Sequence, residues 1–172
     1  MLTIRSIFLI ILSIYSLKFF SLWVLDYESM DFLHAINLGF HEGGHLIMIP
    51  FWDFLHILGG SLFQCLTPLI FAGYFYYKEQ AQFSTAICLW WMGENFTDVA
   101  IYIADARTRS LPLIGDMWPE SHDWYNLLSM MDMLRYDDVI ALTSHWIGMI
   151  IMLGAIIWWV RIIVREYLDE GK

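Results

Sequence analysis

Charge is scarce in this sequence. Charged residues make up 16% of the chain and hydrophobic residues 59%, whereas soluble domains carry about 25% charged residues. The composition therefore predicts a membrane protein. Positive charge is scarcer still, because nine Lys and Arg residues stand against 18 Asp and Glu residues, a net charge of -9. Such a chain lacks a basic face for a phosphate backbone, which excludes nucleic acid as a partner.

Cysteine is also rare. The chain has two cysteines, Cys65 and Cys88, and both lie inside apolar runs. Two thiols are too few for a disulfide framework or a cysteine-based zinc finger. We expect both to be packing residues.

Long apolar runs are abundant. A membrane-spanning helix needs about 20 mostly apolar residues, and four stretches satisfy this: 4–25, 54–77, 82–105 and 138–162. A fifth, 31–50, is interrupted by polar residues and should end at Pro50, because proline cannot continue a helical hydrogen-bond ladder. The sequence predicts an all-α polytopic membrane protein, a single domain (1–172) with about five transmembrane helices.

The one long connection covers about 106–137. Between Asp123 and Arg135 its apolar residues recur at helical spacing on one face. This segment is too short to span a membrane and it carries charge, so we predict a short amphipathic helix that lies in the membrane interface.

The chain segment from His41 to His45 has the pattern His-Glu-x-x-His. On a helix this spacing places two imidazoles on one face, with the carboxylate of Glu42 beside them. Neutral imidazoles suit Zn²⁺, two of them leave open coordination positions, and a nearby glutamate can take a proton from water. The pattern predicts a zinc site with Glu42 as the catalytic base. The alternative is a polar helix face that packs against another helix through hydrogen bonds.

A third ligand must come from elsewhere. In the apolar stretch 82–105, Asn95, Asp98, Tyr102 and Asp105 share one helix face. Carboxylates in a spanning helix are costly unless they meet a metal, protons or water. Asp98 and Asp105 lie about 10 Å apart along a helix, so one ion can take only one of them. Depth in the membrane favours Asp98, and Asp105 has the alternative role of capping the helix end beside Arg107.

Four further histidines occur in the chain outside the His-Glu-x-x-His pattern. His122 stands before the interfacial helix, where it is either a loop residue next to an Asp123 N-cap or the residue that completes the metal site. His34 is too far along the helix from His41 to share its ion, so a supporting or packing role is expected. His56 and His145 are expected to hydrogen-bond between helices.

The segments His41–His45 and Asn95–Asp105 resemble the site-2-protease-like intramembrane zinc metallopeptidases. In that family a transmembrane helix carries His-Glu-x-x-His, and a later helix supplies an Asp ligand after an Asn that helps bind substrate. The segments Tyr102–Arg107, Leu111–Leu113 and His122–Trp124 are similar to a small, largely uncharacterised bacterial branch near that family. The resemblance covers about 31–137.

This resemblance implies a bacterial inner-membrane location, Asp105 as the third ligand and Asn95 as a substrate-binding residue. The sequence also departs from the family pattern. Asp98 stands where the family has a proline after Asn95, and Ala106 stands where a glycine follows the Asp ligand. Asp98 and His122 therefore stay open as alternative ligands.

Three functions follow from these residues. The first is a zinc-dependent metalloendopeptidase that hydrolyses peptide bonds of membrane or membrane-proximal proteins, with membrane lipids and a transmembrane protein substrate as partners. The second is a non-catalytic metal-binding subunit or stabiliser of a larger membrane protein complex. The third, ranked lowest, is a membrane di-iron oxygenase, because His-x-x-x-His also occurs in such sites but the usual His-x-x-His-His box is missing from the sequence.

Overall fold

The computed structural model describes residues 2–20, 32–111 and 122–170, with side chains for 4–20, 32–111 and 122–169. These ranges hold α-helices, short 3-10 helices and turns but no strand, which confirms the all-α prediction. The helices are α1 (Leu2–Leu17), α2 (Phe32–Met48), α3 (Asp53–Tyr77), α4 (Gln82–Ala104), α5 (Asp123–Met130) and α6 (Asp137–Glu170). Short 3-10 helices cover Lys18–Phe20 and Leu134–Tyr136.

Among these helices, two are long and apolar enough to cross a membrane: Asp53–Tyr77, and the continuous helical stretch Leu134–Asp169. The helices α1 and α2 have 16 and 17 residues, slightly short for a span, and the 23-residue α4 carries buried polar side chains. The other three spans therefore stay predictions. Predicted span residues 21–25 and loop residues 112–121 lie outside the described ranges.

Many large apolar side chains lie on the outside of the helix bundle, and many polar side chains lie inside it. One face of α1 exposes large apolar side chains: Ile4, Ile7, Phe8, Ile10, Ile11, Ile14 and Leu17. Among the residues whose side chains the structure describes, fourteen polar or charged residues are buried, including Asn37, His41, Gln64, Glu94, Asn95 and Asp98. Large exposed apolar surface is unusual for a soluble monomer, and lipid-facing helices carry their polar groups inward. The arrangement supports membrane association.

Glycines set the helix crossings. The helix α4 packs mainly against α6 and also against α3, while α2 packs against α3 and α1 lies along α6. At the α4–α6 crossing, a Cβ on Gly93 would lie 2.6 Å from the carbonyl oxygen of Gly148. At the α2–α3 crossing, a Cβ on Gly59 would lie 2.8 Å from the carbonyl oxygen of Gly44. Only glycine permits backbones to approach this closely.

The short helix α5 lies against the bundle. Its Leu128 is fully buried in a cluster with Val99, Ile103 and Ala141. The helix begins at Asp123 as predicted but ends at Met130, earlier than the predicted Arg135. The left-handed backbone of Asp132 (φ 55) explains the early end, because an L-residue in that conformation cannot continue a right-handed helix.

Candidate metal centre

Two imidazoles of α2 face the interior side by side. The rings of His41 and His45 lie one turn apart with centroids 4.9 Å from each other, as the spacing predicts. The side chain of His41 is buried and that of His45 is half-buried. The polar pair is therefore directed inward and away from the apolar exterior.

Asp123, the first residue of α5, reaches both imidazoles. Its Oδ2 lies 2.9 Å from Nε2 of His41 and 3.1 Å from Nε2 of His45. The ligand atoms of the three residues all lie within 4.8 Å of one another, a group that could hold a metal ion. In the part of the chain that the structure describes, this is the one such group of three His, Cys, Asp or Glu residues.

Three contacts position Asp123. The backbone N–H of Asp123 donates to the hydroxyl of Tyr102 on α4 at 2.9 Å. The neighbouring indole of Trp124 donates to Oγ of Ser61 on α3 at 3.0 Å. His122 acts as the N-cap, its Nδ1 accepting from the N–H of Tyr125 at 3.2 Å. The start of α5 is thus tied to two helices of the bundle.

In both His41 and His45, the hydrogen bond made by Nδ1 fixes which ring nitrogen carries the proton. Nδ1 of His41 lies 3.1 Å from Oε1 of Gln64, whose Nε2 donates to Asp98 at 2.7 Å. Since the Gln64 amide nitrogen faces the carboxylate, its oxygen is left to accept, and His41 must donate through Nδ1. Nδ1 of His45 likewise donates to the carbonyl oxygen of His56 at 2.9 Å.

This pattern leaves three acceptors facing one another. With Nδ1 protonated, the Nε2 atoms of His41 and His45 both direct lone pairs at the carboxylate of Asp123. Three electron-rich atoms at such distances repel unless a cation lies among them, either a proton or a metal ion. Outer hydrogen bonds that fix ring tautomers are typical of histidines that bind metals. The donor chemistry and the tautomers both fit a divalent ion.

The carboxyl of Asp123 is suited to this role. Burial raises its pKa, but its contacts with His41 and His45 lower it by more when a proton lies between the carboxylate and the imidazoles, so the pKa lies below the ordinary value. The group is therefore a carboxylate at neutral pH, the form that binds metal ions.

Gly60 on α3 makes room beside the imidazoles. A Cβ at this position would overlap the Nε2 atoms of both His41 and His45. The space next to the two nitrogen atoms therefore exists because residue 60 has no side chain. Nothing in the sequence around Gly60 indicates this role, since it depends on how α2 crosses α3.

The structure does not bring Asp105, the predicted third ligand, into this group. Its carboxylate accepts hydrogen bonds from the backbone N–H groups of Ser110 and Leu111, both at 3.0 Å, and from the Ser110 hydroxyl at 2.7 Å. Nε2 of His122 lies 3.3 Å from Oδ2 of Asp105, the oxygen that also accepts from the N–H of Leu111. Asp105 caps the end of α4, the alternative role raised from sequence, and Asp123 stands where Asp105 was expected.

The other predicted residues support the group from a distance or lie apart from it. Asp98 accepts a hydrogen bond from the side-chain amide of Gln64, which in turn contacts His41, so Asp98 influences His41 only through Gln64. Oδ1 of Asp98 also lies 2.9 Å from Nδ1 of His34. Asn95 is buried, donates to the carbonyl of Trp91 at 2.8 Å, and its Oδ1 has no hydrogen-bond partner among the described residues. His122 accepts from the N–H of Tyr125 through Nδ1, and its Nε2 contacts Asp105 at the end of α4.

Glu42, the predicted catalytic base, is exposed on α2 beside the buried pair. Its carboxylate lies near enough to interact electrostatically with His45. Next to it, a Cβ on Gly43 would meet no atom of the described residues within 4 Å. Within the described residues, this side of α2 is open.

Sequence reasoning did not identify Asp123 as a candidate ligand. The triplet His122-Asp123-Trp124 did stand out, but with Asp123 as the N-cap of the interfacial helix. The cap is in fact His122, and this shift of one residue leaves the Asp123 side chain available to the histidines. Gln64 and His56 were also not assigned to the site, because no local pattern links them to His41 and His45.

Comparison with protein-family models, with curated proteins and with solved structures finds no match.

Proposed function

We propose that this chain is a zinc-dependent, membrane-embedded peptidase of the bacterial inner membrane that hydrolyses peptide bonds of membrane or membrane-proximal proteins. One observation carries the proposal: the lone pairs of His41 and His45 and the carboxylate of Asp123 converge on one point. Two histidines and a carboxylate form a usual ligand set of hydrolytic zinc sites, in which the fourth position is left open.

The surrounding residues support zinc binding. His41, His45 and Asp123 would hold the ion, and Gln64 and the His56 carbonyl would keep both rings in the required orientation. When bound at such a site, Zn²⁺ activates water at neutral pH and polarises a carbonyl group.

Glu42 supplies the proton transfers in this proposal. It follows His41 directly and is exposed, so water and a substrate can reach its carboxylate. It takes a proton from the attacking water and passes it to the leaving amine. The small Gly43 beside it lets an extended substrate backbone lie close to α2. A transmembrane substrate must unwind locally first, because the carbonyl groups of an intact helix are hydrogen-bonded.

A Glu42→Gln variant tests this role. We expect cleavage of a panel of fluorogenic apolar peptides, measured in proteoliposomes, to fall by about 100-fold or more. Zinc content should be unchanged, since Glu42 is outside the ligand group. Glu79→Gln, an exposed glutamate at the far end of α3, is the matched control and should cleave like the wild type. Full activity of Glu42→Gln would overturn the assignment.

The exposure of Glu42 also favours a second function, a non-catalytic metal-binding subunit or stabiliser of a membrane protein complex. In that case the metal would stabilise α5 against the bundle and no proton transfer would be needed. Co-purification of a partner in fixed stoichiometry, unaffected by Glu42→Gln and lost in His41→Ala, would favour this function. Cleavage by the purified chain alone would exclude it.

Two histidines and one carboxylate also bind Fe²⁺ in mononuclear oxygenases. The di-iron alternative raised from sequence needs more ligands than the three that the described residues bring together. Metal analysis separates these cases: zinc supports the peptidase, one iron per chain supports a mononuclear oxygenase, and two irons would restore the di-iron hypothesis.

A further inference from the structure

The end of the bundle opposite α5 carries a cavity lined by cations. It has a volume of about 500 Å³ and lies between the start of α4 and the C-terminal part of α6. Arg161 and Arg165 line it together with Gln82, Trp158 and Ile162. The two arginines are one helical turn apart and on one face of α6. This places two positive charges beside an apolar wall in a chain with a net charge of -9.

The position along α6 corresponds to a lipid headgroup level. From 139 to 160 the helix contains no Lys, Arg, Asp or Glu, and about 22 residues at 1.5 Å each span about 33 Å, close to the hydrocarbon thickness of a bilayer. Arg161 is the first charged residue after this run. Trp158 contacts Tyr76 with ring centroids 6.2 Å apart, a pair typical of the interfacial aromatic belt.

The nearby acidic groups do not neutralise the arginine pair. Glu166, which follows Arg165, forms an ion pair with Arg5 of α1. Asp169 is exposed, and neither Arg161 nor Arg165 forms an ion pair or hydrogen bond within the described part of the chain. Lys78, which follows α3 at the same end as Tyr76, stands next to the exposed Glu79, so this turn adds no net charge to the arginine pair.

We propose that Arg161 and Arg165 bind the phosphate of an anionic phospholipid whose acyl chains lie along the apolar side of α6. Arginine matches phosphate oxygens with paired N–H donors. Its aliphatic part packs along apolar surface while the charged end reaches the interface. Basic pockets between membrane helices are known to take anionic headgroups. The occupant is thus a membrane lipid, selected by charge at one end and by apolar contact along its length.

The test is native mass spectrometry of the full chain in detergent with equimolar phosphatidylglycerol and phosphatidylcholine. We expect the wild type to retain phosphatidylglycerol preferentially, and this preference to fall about fivefold in Arg165→Gln and about 25-fold in Arg161→Gln/Arg165→Gln. Arg135→Gln, an exposed arginine stacked on Tyr136 at the other end of the bundle, is the control and should behave as wild type.

Three results would overturn the proposal. One is an unchanged preference for phosphatidylglycerol in the double variant with a normal helical circular dichroism spectrum. Another is an equal loss in Arg135→Gln, which would show a general charge effect. The last is displacement of the lipid by millimolar inorganic phosphate, which would identify a soluble anion as the ligand. Arg161→Lys/Arg165→Lys keeps both charges and should retain part of the preference, so a fold defect in the glutamine variants would be recognised.

Discussion

Oδ2 of Asp123 lies 2.9 Å from Nε2 of His41, although 82 positions separate the two residues in the chain. The contact joins α5 to α2 across the bundle, and it turns a local pair of histidines into a group of three residues that could hold a metal ion. A metal ion at this point would also fasten α5. Metal binding and the docking of α5 should therefore depend on each other.

Removal of the metal should loosen α5. Without the ion, the direct interaction of Asp123 with α2 loses its cation, and α5 keeps only contacts such as the Tyr102 and Ser61 hydrogen bonds and the burial of Leu128. We expect hydrogen exchange of the amides in 123–130 to become faster after chelation, while exchange in α6 stays the same. Identical exchange of α5 with and without metal would contradict the coupling.

Gly60→Ala should weaken metal binding. The added methyl group would overlap the Nε2 atoms of His41 and His45, so the imidazoles would have to move from their positions. We expect metal affinity, measured by competition with a chromogenic chelator, to fall by at least about tenfold. Gly39→Ala is the control, because a Cβ there meets nothing within 4 Å among described atoms. An unchanged affinity of Gly60→Ala would show that the ion lies elsewhere.

Gln64→Met should also lower the affinity for metal, by about 10- to 100-fold. The variant keeps the side-chain volume but loses the acceptor that fixes the tautomer of His41, and it leaves Asp98 without the Gln64 amide. A matched change is Asn37→Leu, which removes a buried amide that contacts Glu94 and Trp91. It should lower stability and leave metal affinity unchanged. Equal effects of both variants on affinity would indicate a general loss of packing.

The glycine contact between α4 and α6 should contribute to stability. Gly148→Ala forces a methyl group against Gly93 and Thr97, and overpacking of this kind costs about 1–3 kcal/mol. Gly154→Ala on the same helix has open space in the described structure and should be neutral or stabilising by up to about 1 kcal/mol. Thermal unfolding in detergent compares the two. A lower melting temperature for Gly154→Ala than for Gly148→Ala would contradict the packing described here.

Local patterns predicted most of the helices. The predicted stretches 54–77 and 82–105 agree with α3 and α4 to within one residue, because apolar runs and helix periodicity are properties of neighbouring residues. The helix α6 continues to Glu170, beyond the predicted 162, because the charged residues of its last turns end the apolar run without ending the helix. The pair His41 and His45 was found for the same local reason.

The remaining parts of the site could not be predicted locally. Gln64 and Gly60 reach the histidines because Gly44 and Gly59 let α2 and α3 approach closely, a tertiary contact without a sequence signal of its own. The predicted alternatives Asp98, Asp105 and His122 do not include Asp123, because the only role predicted for Asp123 is that of a helix cap. A shift of one residue at a helix start is within the usual uncertainty of boundaries, and here it decided which carboxylate was available.

We propose that His41, His45 and Asp123 together hold one zinc ion. Elemental mass spectrometry of the detergent-purified chain tests it most directly, with His41→Ala, Asp123→Ala and Asp105→Asn prepared in parallel. We predict about one zinc per chain in the wild type and in Asp105→Asn, and its loss in the other two variants. Zinc retained in Asp123→Ala but lost in Asp105→Asn, or no metal in the wild type after zinc is supplied, would contradict this account.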